Sequence, residues 1–248
     1  MKNYIRFLII FFLITSCSQK KVFNFNYYCQ KLKISCTRKN HLVTFKTSKG
    51  NFQVKLNGED YPLTVNNFIE NIENNLYENQ KFYKIINFPQ VKLIQGGIYK
   101  GNNLYEEKNQ FLNKIRPSIP LEISLKKDAD PRYKYQIDDP SEFIQIKNFF
   151  ERGSMAMVKR GEKKSSSTEF FLVTNEIPEL DGRYSIFGRV VKGFKILNNL
   201  NEGDFIFSNH RNHGHYISLT GDAKGLMGEI MGLDSGASHG IGGSQHIH

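Results

Sequence analysis

Lys84, Gln95, Glu169 and Tyr184 are polar residues set into or beside short apolar runs, where an ordinary strand would not need them. The runs are Phe82–Ile86, Leu93–Gly97, Glu169–Leu172 and Leu180–Val190, in that order along the chain. Phe82, Leu93, Phe171 and Leu180 supply aromatic and aliphatic surface within the same runs. A cation, an amide that both donates and accepts, and an apolar wall can together hold a polypeptide backbone without forming a covalent bond. Other chemistries fit less well. Ser165–Ser167 have no His-bearing motif nearby, and nothing besides the residue types supports a carboxylate pair at Glu169 and Glu179. His210, His213 and His215 lack a carboxylate or Cys at metal-ligand spacing, so no metal is expected.

The elements that must position these residues are short strands. Leu42–Thr47 and Asn51–Leu56 flank Ser48-Lys49-Gly50, and Phe52, Val54 and Leu56 alternate with polar residues, which predicts a hairpin. Pro62 begins a helix whose stripe is Val65, Phe68, Ile69, Ile72 and Leu76. Further strands are expected over 81–86, 91–95, 155–158, 170–174, 185–190 and 216–220, with a short second helix at Phe194–Leu200. Many short strands and two helices predict a mainly β fold, an eight-stranded antiparallel barrel closed so as to remove its edges.

The order FYKII, IQGG, GSMAMV, STEFFLV and LDGRYSIFGRV resembles the core of cyclophilins, the barrel-shaped peptidyl-prolyl isomerases, over about residues 41–221. The resemblance implies an isomerase acting on proline-containing polypeptide segments, without a cofactor and as a single copy. By motif position Lys84 stands at the family's Arg in FHRII, and Gln95 at its backbone-binding Gln before the Gly pair. Both are the expected catalytic residues. Their separation is three residues longer than in the family motif. Phe171 falls on the pocket aromatic of SQFF, with Glu169 in place of its Gln. Leu180 and Tyr184 match the Leu and His of WLDGKH, with Glu179 in place of the Trp. Phe82, Leu93, Glu169, Phe171, Leu180 and Tyr184 are therefore the expected substrate contacts. The aromatic that precedes Leu93 in the family is replaced by Lys92, Val91 or Phe88. Lys for Arg is not a neutral exchange, because the planar fork is lost. Glu169 could also pair with Lys84 and occupy it. A second reading is therefore a cyclophilin-fold peptide-binding or assembly factor with a decayed site.

The ends carry the address. Lys2 and Arg6 precede the apolar run Phe7–Ile14, and Thr15-Ser16-Cys17 closes it, the pattern of a signal peptide over 1–16. Leu13–Cys17 resembles a lipobox, in which Cys17 is acylated and anchors an exported chain to a membrane. Residues 17–40 are expected as a lipidated terminus and tether. Cys29 and Cys36 form either a disulfide or two free thiols. The formal net charge of +10 is scattered and accompanies no nucleic-acid motif, so it reads as solvated surface. Residues from about 124 to 150 read as a polar surface insertion, and the Gly- and His-rich residues 222–248 as a disordered tail.

Overall fold

A computed structural model describes residues 25–99 and 115–206, and the backbone of 217–222. Its elements are α1 (Phe25–Leu32), β1 (His41–Thr47), β2 (Gly50–Leu56), α2 (Pro62–Glu73), β3 (Phe82–Asn87), β4 (Lys92–Gly96), β5 (Ile119–Pro120), β6 (Glu122–Ile123), β7 (Arg132–Tyr133), α3 (Pro140–Phe143), β8 (Ser154–Lys159), β9 (Lys164–Val173), β10 (Ile186–Lys192), α4 (Phe194–Asn199) and β11 (Ile217–Asp222). The main sheet runs β11-β1-β2-β10-β8-β9-β4-β3, with β5 added on β9, and every pairing is antiparallel.

The sheet curls around one core. Val43, Phe45, Phe52, Val54, Ile94, Met155, Phe170, Leu172 and Phe187 point inward and meet Val65, Phe68 and Ile72 of α2. Phe68 lies 5.2 Å from Phe187 and 5.7 Å from Phe170, so this helix plugs the curl with its aromatic stripe. The expected closed barrel is corrected to a curled sheet. Among the described residues no ladder joins β3 to β11. The segment Gly203–Ile206 bridges instead, with Phe82 N–H donating to Asp204 C=O (3.0 Å) and Ser48 N–H to Phe205 C=O (3.2 Å). Backbone groups at the two rims are thereby partnered without a regular strand.

Two segments pack more fully than expected. Residues 25–36, expected in a tether, hold α1 and a Cys29–Cys36 disulfide. Tyr28, Cys29 and Ile34 are buried against Leu63 of α2, so this segment belongs to the folded unit. The insertion is packed as well. Its Leu125, Ile137 and Ile146 are fully buried together with Leu121 and Ile123 of the extended segment before it, so sparse apolar residues in a polar stretch converge beside β6. Cys17 and the tail beyond Asp222 lie outside the described residues, as do His210, His213 and His215.

Glu122 ties the insertion to α2. Its buried carboxylate accepts from Leu63 N–H (3.2 Å), Thr64 N–H (2.8 Å) and Tyr133 Oη (2.8 Å). These amides are otherwise unpaired donors at the first turn of a helix that starts on Pro62. Glu122→Ala should therefore cost about 3 kcal/mol, since a charged acceptor is lost and buried donors are stranded. Burial raises the Glu122 carboxyl above its ordinary range, against the pull of these hydrogen bonds. A raised acid stabilises most below its unfolded value, about 4.3, and that share is lost as pH rises through the folded value. In urea unfolding from pH 4 to pH 8, the stability of the wild type relative to Glu122→Gln should fall; a rise would contradict the assignment.

Candidate functional site

The strand β9 is buried on both faces, which a one-sided sheet does not require. Phe170 and Leu172 enter the central core, while Phe171 and Val173 point to the outer face. There they join Leu93, Phe150, Ala156 and Ile186, edged by Ile86, Val91, Val158, Ile177, Leu180 and Tyr184. A second apolar cluster therefore sits outside the curl, across β4, β9, β8 and β10.

Strand register builds a row across that face. Lys84 opposes Gln95, Gln95 opposes Phe171, Phe171 opposes Ala156, and Ala156 opposes Ile186. Directly opposed residues share a face. The row thus passes from an exposed cation, through a half-buried amide, to a buried aromatic floor. Lys84 has neither a carboxylate nor a hydrogen-bond partner among the described residues. The three extra residues between Lys84 and Gln95 do not separate them. Pairing continues to Asn87 and Lys92, and the chain turns over 88–91, where Phe88 N–H donates to Val91 C=O (2.9 Å).

A β-bulge decides which β3 residues reach this face. Phe82 pairs with Gly96 and Lys84 with Gln95, leaving Tyr83 unopposed. The extra residue breaks the alternation, so Phe82 and Lys84 lie on opposite faces. Phe82 is accordingly corrected from a substrate contact to a core residue, fully buried and 6.5 Å from the Phe170 ring. Gly97 follows β4 at φ 106°, and a Cβ there would stand 2.3 Å from Thr168 C=O, so the Gly pair lets β4 and β9 approach.

Glu169 is also corrected. Its side chain is 2% exposed, and its carboxylate pairs with Arg160 while accepting from Tyr83 Oη (3.2 Å) and Ser166 Oγ (3.1 Å). It does not pair with Lys84, and Arg160, Tyr83 and Ser166 already occupy its carboxylate. Burial, then the charge of Glu169 and its hydrogen bond, push the Tyr83 hydroxyl well up, so that this phenol stays protonated. Tyr83 stacks on Tyr99 at 4.9 Å.

The other expected contacts converge. Tyr184 stands edge-on to Phe171 at 5.2 Å, and Leu180 packs on the same cluster. Of the three candidates before Leu93, Val91 packs on the cluster. Phe88 is 53% exposed, and Lys92 turns away to cap the carbonyls of Asn198 (3.0 Å) and Leu200.

Phe150, Ala156 and Ile186 were missed. Phe150 stacks on Phe171 at 5.6 Å and meets Tyr184 edge-on at 5.9 Å. The available signal was an aromatic pair, Phe149-Phe150, ending an otherwise polar stretch. Asp181 holds Phe150 in place, its buried carboxylate accepting the Phe150 N–H at 2.6 Å. Gly182 follows at φ 69°, and a Cβ there would lie 2.9 Å from Ile137 of the insertion. The Asp181-Gly182 turn is thus also a clamp. Asp181→Ala should cost about 2 kcal/mol in urea unfolding by stranding a buried N–H, whereas Asp181→Asn, which keeps an acceptor, should lose less than half of that. Equal losses would contradict the clamp.

Comparison with known proteins meets this geometry. The family model for cyclophilin type peptidyl-prolyl cis-trans isomerase/CLD matches residues 42–217. A Synechocystis protein named as a thylakoid lumen peptidyl-prolyl cis-trans isomerase is 29% identical over 176 residues, 67% of this chain and 45% of that protein. A Helicobacter pylori peptidyl-prolyl cis-trans isomerase is 25% identical over 168 residues, 67% of this chain and 83% of that protein. A solved Cryptosporidium parvum cyclophilin type isomerase is 24% identical, with a TM-score of 0.44, over 65% of this chain and 84% of that one. The chain spans less than half the length of the Synechocystis relative. The match over residues 42–217 covers β2 to β10, the row and the aromatic cluster together, and the chain belongs to the cyclophilin type peptidyl-prolyl cis-trans isomerase family.

Proposed function

We propose that the chain is a peptidyl-prolyl cis-trans isomerase of exported polypeptides, working on the outer face of the sheet. The observation that carries this is the row Lys84–Gln95–Phe171, which sets a cation and an amide beside an apolar cluster. An X–Pro bond rotates over a barrier of about 20 kcal/mol, and unaided exchange takes tens to hundreds of seconds. Lowering it requires only that the twisted amide be bound better than either planar form. Phe171, Leu93, Leu180 and Tyr184 hold the proline ring. Gln95 donates to and accepts from the substrate backbone. As the amide twists, resonance is lost and the nitrogen lone pair becomes available; the Lys84 ammonium hydrogen-bonds it. Among the described residues Lys84 has no competing carboxylate, because Arg160, not Lys84, neutralises Glu169. The concern that Glu169 would occupy the cation therefore loses its geometric basis.

Export rests on different support. The signal-like residues 1–16 and the lipobox-like Cys17 read as a lipoprotein terminus. The Cys29–Cys36 disulfide accords with an oxidising compartment, and the name of the Synechocystis relative places that protein in a lumen. Among the described residues no helix is long and apolar enough to cross a membrane. The lipid on Cys17 would be the tether. Mass spectrometry of the mature protein should find residues 1–16 removed and an acylated Cys17; an unmodified terminus elsewhere would discard the lipoprotein.

A protease-coupled assay on an Ala-Pro peptide tests the activity. Catalysis above background is expected. Lys84→Ala should remove most of it, and Lys84→Arg should raise it about five-fold by restoring the planar fork. A background rate in the wild type would reject the enzyme, and identical rates in all three proteins would remove Lys84 from the site.

A further inference from the structure

A cleft of about 300 Å³ opens between the insertion and the β8–β9 turn, lined by Lys134, Tyr135, Gln136, Asp138, Glu162 and Lys163. One side chain joins it to the aromatic pocket. Lys159 Nζ donates to Gln136 Oε1 (2.6 Å) and lies 5.7 Å from the centre of the Tyr184 ring. Gln136 in turn donates to Asp138 (2.8 Å). A run of bonded groups from Asp138 through Gln136 thus fixes a cation where the cleft meets the pocket wall.

The cleft lining sets Lys134 and Lys163 against Asp138 and Glu162, with Asp138 already accepting from Gln136, and Lys159 at its rim adds a third cation. An ammonium carries three donors, and the Gln136 bond uses one of Lys159's, so two remain for a carboxylate. The insertion is also fixed rigidly enough to present this wall. Ile137 N–H donates to Gly182 C=O (3.1 Å), and Phe150 is held by Asp181.

We propose that this cleft is a second subsite for the client chain, which takes an acidic stretch adjoining the proline and holds its carboxylates on Lys159 and Lys163. The proposal rests on the isomerase reading for its substrate class. It adds that the insertion, through Gln136, selects among prolyl segments by charge. An extended chain advances about 3.3 Å per residue, so a segment leaving the pocket over Tyr184 meets Lys159 first and the cleft next.

The test is fluorescence anisotropy with the full mature chain. The labelled probes are Ala-Pro peptides extended on either side by three Glu, three Gln or three Lys. On one side of the proline, the Glu extension should bind about tenfold tighter than the Gln extension at low salt, and the Lys extension weaker than either. Lys159→Glu should abolish that preference. Glu162→Lys, an exposed change that adds a cation, should enlarge it, a gain that misfolding cannot imitate. Equal binding of the three extensions on both sides, failure to bind any of them, or an unchanged preference in Lys159→Glu would overturn the subsite. Binding is read without turnover, so a background isomerase rate would count against the activity and leave this result to stand separately.

Discussion

The structure depends on a strand that must be buried on both of its faces. Phe170 and Leu172 of β9 fill the inside of the curled sheet, and Phe171 and Val173 need cover on the outside. Antiparallel sheets commonly leave one face to water, so apolar residues on the outer face call for a second packing layer. Part of that layer comes from Phe150 and from the Leu180–Tyr184 segment, and Ile86, Val91, Val158 and Ile177 edge it half-buried. The cover is held by Asp181 on the Phe150 N–H, and by Ile137 on the Gly182 carbonyl.

Polar chemistry is added to this apolar site by strand register. The bulge at Tyr83 turns Lys84 onto the outer face while leaving Phe82 inside, and antiparallel pairing then aligns Lys84, Gln95 and Phe171. Because the alignment is made by backbone ladders, the extra residues of the β3–β4 turn do not disturb it. Glu169 sits one pleat away and is neutralised locally by Arg160 and two hydroxyl donors. A buried carboxylate needs such partners, and these keep it from drawing on Lys84. The departures from the family pattern are therefore accommodated separately, one exposed and unpartnered among the described residues, the other buried and paired.

Much of this was legible in the sequence because period and turn chemistry are local. The β1–β2 hairpin, the Pro62 helix with its apolar stripe, and the strands around IQGG and EFFLV all lie where alternation, helical spacing and Gly turns put them. Gln95, Leu93, Phe171, Leu180 and Tyr184 gather on one face, as motif order implied. Phe82 failed because a single unopposed residue reverses the face of a strand, and no local pattern marks it. The partner of Glu169 failed because Arg160 lies in the β8–β9 turn and becomes a neighbour only when β8 and β9 pair. Residues 17–40 were read as a tether, and the insertion as polar surface, for the same reason. Tyr28, Ile34, Ile137 and Ile146 are too sparse along the chain to show a period, and their burial comes from contacts distant in sequence.

The central claim is that a prolyl segment lies on the Lys84–Gln95–Phe171 row, against the outer apolar cluster. Titration of the isotope-labelled protein with an Ala-Pro peptide, followed by amide and methyl NMR, measures this most directly. Shifts centred on Gln95, Phe171, Leu93 and Leu180, with the inner residues Phe82 and Phe187 unmoved, are the expected result. Shifts confined to another face of the sheet, with this row silent at saturating peptide, would contradict it.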